Sequence, residues 1–411
     1  MKRRRAHRTG PSSAQRDRSP DWGIPVVVLP ERLEAALRAG HPWVYRQHLP
    51  PQLSSARGPW VAVSCGQFRA VAVQDPSSVL ALRIYSREQV PDAAWFERRV
   101  QDAWDLRQPL RDEATDAFRW LYGEADGLPA VVVDYYAGYA VVACDTDAVA
   151  PLLPPLCEAL QRVSTPFGVL RRHRDATSEG GRLELLAGQL PPRDLVVREL
   201  GVYQRANLYA GQKTGLFLDQ RENRACVAAH CRGKSVLNLF SYSGGFSVHA
   251  VRQGASRVVS VDSAKAAARD AEENFRLNGF DPAQHEFVVA DVFEYLELMR
   301  THHQTFDVVI CDPPSFARNQ TQMKKAISAY TRLNAAGMKV VRPGGLYAAA
   351  SRTSRLTEAA FVDSLSESAC RAQRRFQIIA QRGHAQDHPV LASHPEGRYL
   401  KFVLGRILPR D

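Results

Sequence analysis

The chain has 411 residues, enough for two to four domains of about 100–200 residues, and its 45% hydrophobic and 24% charged content is an ordinary globular balance. No stretch reaches the roughly 20 consecutive apolar residues of a membrane span, and the basic N-terminus lacks the apolar segment of a secretory signal, so a soluble cytoplasmic protein is expected. Seven scattered cysteines without a CxxC pair exclude a disulfide framework or a zinc knuckle, and a net charge of +11 leans towards an anionic partner.

Residues 1–20 carry seven Lys/Arg and one Asp, more than half of the excess charge. With almost no apolar residues, the segment 1–24 is expected to be a disordered basic tail: either simply solvated, or a salt-sensitive arm for polyphosphate. Residues 25–92 read as a small, mainly β domain. Strands are expected at 26–29, 60–64, 67–74 and 79–84, with a helix at 31–39 closed by Gly40. Residues 93–199 read as an α+β domain with a helix at 93–106, a hairpin of 130–135 and 139–143, and a helix at 149–161. From 200 to 411, strands at 236–240, 257–262, 287–290, 306–311 and 345–350 alternate with helices at 244–252 and 264–278. That alternation predicts a Rossmann-like α/β fold with a parallel sheet and right-handed crossovers.

Four of these strands end in chemistry. The first runs into SYSGG (241–245), where glycines let the backbone approach a ligand and aim helix N–H groups at it. The second ends at Asp262, 18 residues after Gly244, the place for a carboxylate on ribose hydroxyls. The third ends at Asp291, within reach of an adenine amino group. The fourth runs into DPPSF (312–316), where Pro313 and Pro314 stiffen the backbone around Asp312 and Phe316 is a candidate stacking platform for a flipped base. A dinucleotide oxidoreductase would place GxGxxG on the first strand to hold a pyrophosphate. S-adenosylmethionine (SAM), which has no phosphates, fits the pattern better.

The motifs HPWVY (41–45), GEADGLP (123–129), GQKTGLFLDQRENR (211–224), VLNLFSYSGGFSV (236–248), DPPSF and DHPVLASHPEGRYLK (387–401) follow in an order that resembles the bacterial 23S ribosomal RNA large-subunit methyltransferase I family, over nearly all of residues 25–408. The resemblance implies an RNA-binding β-barrel PUA domain at 25–92, a middle α+β domain at 93–199 and a Rossmann-like SAM domain at 200–411. It implies 5-methylcytosine as product and ribosomal RNA as partner, with no metal and no membrane. The oligomeric state stays open, a homodimer among the options. SAM contacts are implied at Gln212, Asp219, Asn238, Phe240, Ser241, Tyr242, Gly244, Gly245, Asp262, Asp291 and Asp312, with Lys213 and Arg221 as further candidates. Catalysis is implied at Asp312, Pro313, Pro314 and Phe316.

One departure bears on the chemistry. Methylating cytosine C5 needs a thiolate added to C6 to make the ring nucleophilic. The family carries that Cys where this chain has Arg352, in SRTSR (351–355). Cys311, next to Asp312 on a strand, is expected to face the core. Transfer to a nitrogen, such as guanine N7 or an exocyclic amine, needs no thiolate and is the alternative. A non-catalytic RNA-binding assembly factor is a third reading.

Overall fold

A computed structural model describes residues 22–49, 58–173, 182–316 and 320–409. Residues 1–21 of the expected basic tail lie outside the described residues.

The N-terminal unit is a five-stranded sheet in the order Val26–Val28, Trp60–Cys65, Phe68–Gln74, Leu80–Ser86, Trp43–Tyr45. The first pair is parallel and the rest antiparallel. Alternating apolar residues bury Val61, Val63, Phe68 and Leu82 against Leu37 from the short helix Glu34–Arg38. The expected helix at 31–39 is shorter than its pattern, because Glu31–Leu33 takes a 3-10 turn; Gly40 follows at φ +95°.

The middle unit is a second five-stranded sheet, ordered Leu183–Gly188, Gly168–Arg172, Tyr139–Cys144, Val131–Tyr136, Ala117–Tyr122. Its hairpin turns on Ala137 and Gly138, both at positive φ (+44° and +95°), a two-residue turn whose twist suits the flanking strands. Helices Ala93–Leu106, capped by the Asp92 side chain on Trp95 N, and Leu153–Ser164 bury Trp95, Phe96, Leu156 and Leu160 in a core with Trp120.

The C-terminal unit contains seven strands: β1 (Ser235–Leu239), β2 (Arg257–Asp262), β3 (Glu286–Val289), β4 (Phe306–Cys311), β5 (Val341–Ser351), β6 (Arg374–Arg382) and β7 (Lys401–Pro409). Their order is β3-β2-β1-β4-β5-β7-β6; β1 to β5 pair in parallel, and β7 is antiparallel to both β5 and β6. Parallel strands buried on both faces need continuous apolar runs, which Val308–Cys311 of the fully buried β4 supplies. The C-terminal ends of β1, β2 and β4 converge where the strand order reverses beside β1, the position at which open α/β sheets bind ligands.

The middle and C-terminal units meet at a buried carboxylate. Asp387 Oδ2 accepts from Arg221 Nη2 (2.7 Å) and from the backbone N–H of Arg119 (2.7 Å), and its carbonyl accepts from Arg107 Nη2 (2.8 Å). Arg221 also donates to the carbonyl of Ala117 (3.0 Å). Burial raises the energy of the Asp387 charge, but Arg221 and His388 outweigh it and hold the carboxyl well below the usual range. Removing one partner of a buried pair strands the other charge, at about 3–5 kcal/mol. Asp387→Ala should therefore lower unfolding stability by that amount, measured by urea titration, with loss of the cooperative transition between the middle and C-terminal units.

Candidate active site

After β1 the chain turns through 240–244 into the helix Gly245–Arg252. Phe240 (φ +55°), Tyr242 (+47°) and Gly244 (+75°) lie in the left-handed region. For the two aromatic residues this costs on the order of 1–3 kcal/mol each, so the surroundings must enforce it. They do so through hydrogen bonds from Ser241 N to Val261 O (3.0 Å), Gly244 N to Ser241 O (2.9 Å) and Tyr242 N to Asp262 Oδ2 (2.9 Å). Gly244 is needed twice over, since a Cβ there would lie 2.9 Å from Cβ of Ala271 on the neighbouring helix Lys265–Leu277.

This turn floors a cleft of about 350 Å³ at the strand ends. Of the residues singled out from sequence, Gln212, Phe240, Ser241 and Tyr242 line it, as do Gly245, Asp262, Asp312 and Pro314. The backbone N–H of Gln212 donates to the Tyr242 hydroxyl (3.1 Å), which fastens the 211–221 stretch over the turn. That stretch also supplies Phe217, a wall residue not anticipated individually. Arg224 is another; it is held by both oxygens of the buried Glu199 (2.7 and 2.5 Å).

Other expected contacts sit elsewhere. Asn238 lies beneath the turn, donating to Ser247 Oγ (2.9 Å), which in turn pairs with Ser260 Oγ (2.7 Å). Asp291 is exposed and caps the helix Val292–Thr301 by accepting from Phe293 N (2.8 Å) and Glu294 N (3.2 Å). Asp219 is buried and accepts from Lys213 Nζ (2.6 Å) and the Tyr399 hydroxyl; Arg221 belongs to the Asp387 junction. Burial opposes the Asp219 charge, but Lys213 and Arg352 hold its carboxyl well below the ordinary value. Pro313 is buried, and Phe316 is half-buried with its ring 4.7 Å from Tyr330, packed on the core. Gly244 shapes the turn from behind.

Arg352 is the residue whose place the sequence could not give. It emerges from β5 with its side chain 12% exposed and clamps Asp312 in two bonds, Nη1 to Oδ1 (2.8 Å) and Nη2 to Oδ2 (2.7 Å). Gln220 Nε2 donates to the same carboxylate (3.0 Å). The guanidinium lies 4.4 Å from the Phe217 ring centroid, a cation–π contact. Lys401 Nζ fixes the loop by donating to the carbonyls of Thr353 (2.6 Å) and Tyr399 (2.9 Å), and burial pulls its pKa down to about 8. Cys311, by contrast, is 1% exposed in the core, and burial pushes its thiol up to about 12. All seven cysteines lie among the described residues, and none lines this cleft.

Asp262 at a strand end suits a pair of ribose hydroxyls, and Phe240 and Phe246 put apolar side chains for a nucleobase in the same cleft. This donor set fits SAM. With the sheet order, it defines a SAM-dependent methyltransferase, and a family model described in those words matches residues 168–382, while a PUA-like domain model matches residues 27–87. The chain belongs to the ribosomal RNA large subunit methyltransferase I family. It is 34% identical over 395 residues to the enzyme of that name from Klebsiella pneumoniae (strain 342), covering 94% of this chain and 99% of that one. It is 38% identical over 386 residues to a ribosomal RNA large subunit methyltransferase from Deinococcus radiodurans, covering 90% and 94%. The crystal structure of SMU.776 complexed with SAH superposes with a TM-score of 0.83 at 26% identity, over 93% of this chain and 100% of that one. The protein is thus an enzyme with SAM as cofactor.

Hydrogen bonds to a charged group contribute about 1.5–3 kcal/mol. Asp262→Asn should accordingly weaken SAM binding by about 10–100-fold in isothermal titration. Near the same loop, His384 Nε2 accepts the backbone N–H groups of Tyr399 and Leu400 (both 3.1 Å), a role only the unprotonated nitrogen can fill. Burial, aided by His388, lowers its pKa to about 3. Between about pH 6.5 and 3 the unfolded chain binds this proton and the folded one does not, so stability falls on acidification. The wild type should lose on the order of 2 kcal/mol from this group between pH 7 and pH 5. Urea midpoints for His384→Gln should show a correspondingly shallower pH dependence.

Proposed function

We propose that this enzyme methylates a base of large-subunit (23S) ribosomal RNA and that the acceptor is a nitrogen. The RNA class is supported by the names of its relatives and by the PUA-like domain. The nitrogen reading rests on one observation: where the family resemblance calls for a cysteine, Arg352 is locked in two bonds to Asp312, and the thiol adjoining Asp312, that of Cys311, is buried with its pKa pushed up to about 12.

Carbon C5 of cytosine is too weakly nucleophilic without a covalent adduct, and a guanidinium cannot form one. A ring nitrogen or an amine brings its own lone pair and needs alignment alone. When bound, SAM would supply a methyl group on a cationic sulfur: the nitrogen lone pair would displace the thioether S-adenosylhomocysteine, and an amine acceptor would then release its proton to solvent. Asp312, held flat by Arg352 and Gln220, presents carboxylate oxygens that accept an N–H from the target and fix its direction. Pro313 and Pro314 restrict the backbone that carries it. The half-buried Phe316 packs this loop on Tyr330, which leaves stacking on the base to other aromatic residues.

The decisive measurement is mass spectrometry of nucleosides from unmodified 23S rRNA incubated with enzyme and SAM. An N-methylated nucleoside is expected; 5-methylcytidine would overturn the nitrogen assignment, and no methylated nucleoside would sink the reading altogether. Asp312→Ala should lower the transfer rate by about 100-fold or more, the scale of losing an oriented group at the reacting atoms, while RNA affinity is retained.

A further inference from the structure

A second cleft of about 840 Å³ opens on the far side of Arg352, walled by all three units. Trp43 comes from the N-terminal unit, Tyr122 and Glu124 from the middle one, and Ser354, His394 and Tyr399 from the C-terminal one. Among the described residues, Arg352 alone lines both this cleft and the cofactor cleft. Resting on the reading above, we infer that the interdomain cleft holds one extruded RNA nucleotide, whose base edge passes Arg352, the wall shared by the two clefts, to reach Asp312 and the methyl donor.

The volume lies within the range of about 300–1,000 Å³ typical of small-ligand sites, so a base with its ribose and phosphate is admitted and a duplex is not. The wall carries what a single nucleotide needs. Trp43 and His394 meet edge to face with ring centroids 4.2 Å apart, and Tyr122 and Tyr399 add further aromatic surface. Arg119 and Lys213 also line it, each braced from behind by a buried carboxylate: Arg119 by Asp134 (2.5 Å) and Lys213 by Asp219 (2.6 Å). Such braced cations are oriented donors for phosphate or base edges.

Independent of size and charge, the wall holds polar atoms that the fold leaves unsatisfied. His394 Nε2 and Arg352 Nε are buried with no hydrogen-bond partner; the Glu396 and Asp219 carboxylates stand 3.9 Å from these two atoms, beyond hydrogen-bond reach. A buried group left this way costs about 1–3 kcal/mol, an expense that a hydrogen-bonding ligand removes. Trp43 is itself fixed by its indole N–H on Glu124 Oε1 (2.8 Å), so the cleft exists only when the N-terminal and middle units are docked. This ties nucleotide capture to the placement of the RNA-binding unit.

Ser354 is exposed beside Arg352, so bulk there fills the cleft without disturbing a core. With full-length protein and unmodified 23S rRNA, Ser354→Trp and, at another lining position, Val390→Trp should leave the SAM Kd within about twofold while kcat/KM for RNA falls by about 30-fold or more, the scale of one lost base-stacking contact. Both SAM affinity and melting temperature serve as folding controls. Wild-type transfer by both variants would overturn the inference. A benzoylphenylalanine photocrosslinker at position 354 should attach to the methylated nucleotide or its immediate neighbour; attachment only at distant nucleotides, or none at all in the presence of bound RNA, would also overturn it. Absence of methyl transfer by the unaltered enzyme counts against the proposed function instead, because the crosslink reads occupancy of the cleft and not turnover.

Discussion

The architecture depends on two charges buried together, Arg221 and Asp387, at the seam between the middle and C-terminal units. Neither could be taken from water alone, and each is also bonded by a group from the opposite side: the Arg119 N–H on the carboxylate, the Ala117 carbonyl on Nη2 of the guanidinium. Geometry this demanding gives direction as well as attraction. It fixes the sheet of the middle unit against the SAM domain, and with it the stretch 211–224 that runs between them. Because Gln212, Phe217 and Arg224 of that stretch wall the cofactor cleft while Lys213 faces the interdomain cleft, one seam positions both cavities.

The second determining contact is the Asp312–Arg352 clamp. In a cleft at the end of a parallel sheet, an isolated carboxylate would face the edge of the cofactor with freedom to turn. The bidentate guanidinium removes that freedom and sets the plane of the oxygens. The same guanidinium occupies space that a cysteine would leave open, and it brings Asp219, Lys213 and Tyr399 into one connected network. The network joins the loop after β5, the 211–221 stretch and the segment before β7, three pieces far apart in the chain.

Much of the fold was legible in the sequence. Strand periodicity, Gly40 and the Ala137–Gly138 turn mark elements through local backbone preference, and local preference is written residue by residue. The lining of the strand-end cleft was legible for the same reason: Phe240 to Tyr242, Gly245, Asp262 and Asp312 sit at strand ends, where neighbouring residues in sequence remain neighbours in space. Asn238, Asp291, Asp219 and Arg221 carried the same polar signature, yet their side chains are taken up by Ser247, by a helix cap, by Lys213 and by Asp387. A polar residue in a motif shows that a partner is required; it does not say which partner.

The sequence alone determined the class of the catalytic domain, the line of carboxylates at the strand ends, and the absence of a cysteine at position 352, because each is a statement about residue type and spacing. Only the tertiary structure decided what Arg352 does in that place, which thiol is out of reach, and that a second cleft exists at all. Those depend on long-range packing: Arg352 meets Asp312 from 40 residues away, and the interdomain cleft is assembled from Trp43 to Tyr399. Contacts over such separations follow from how whole sheets and domains dock, and no local pattern encodes that.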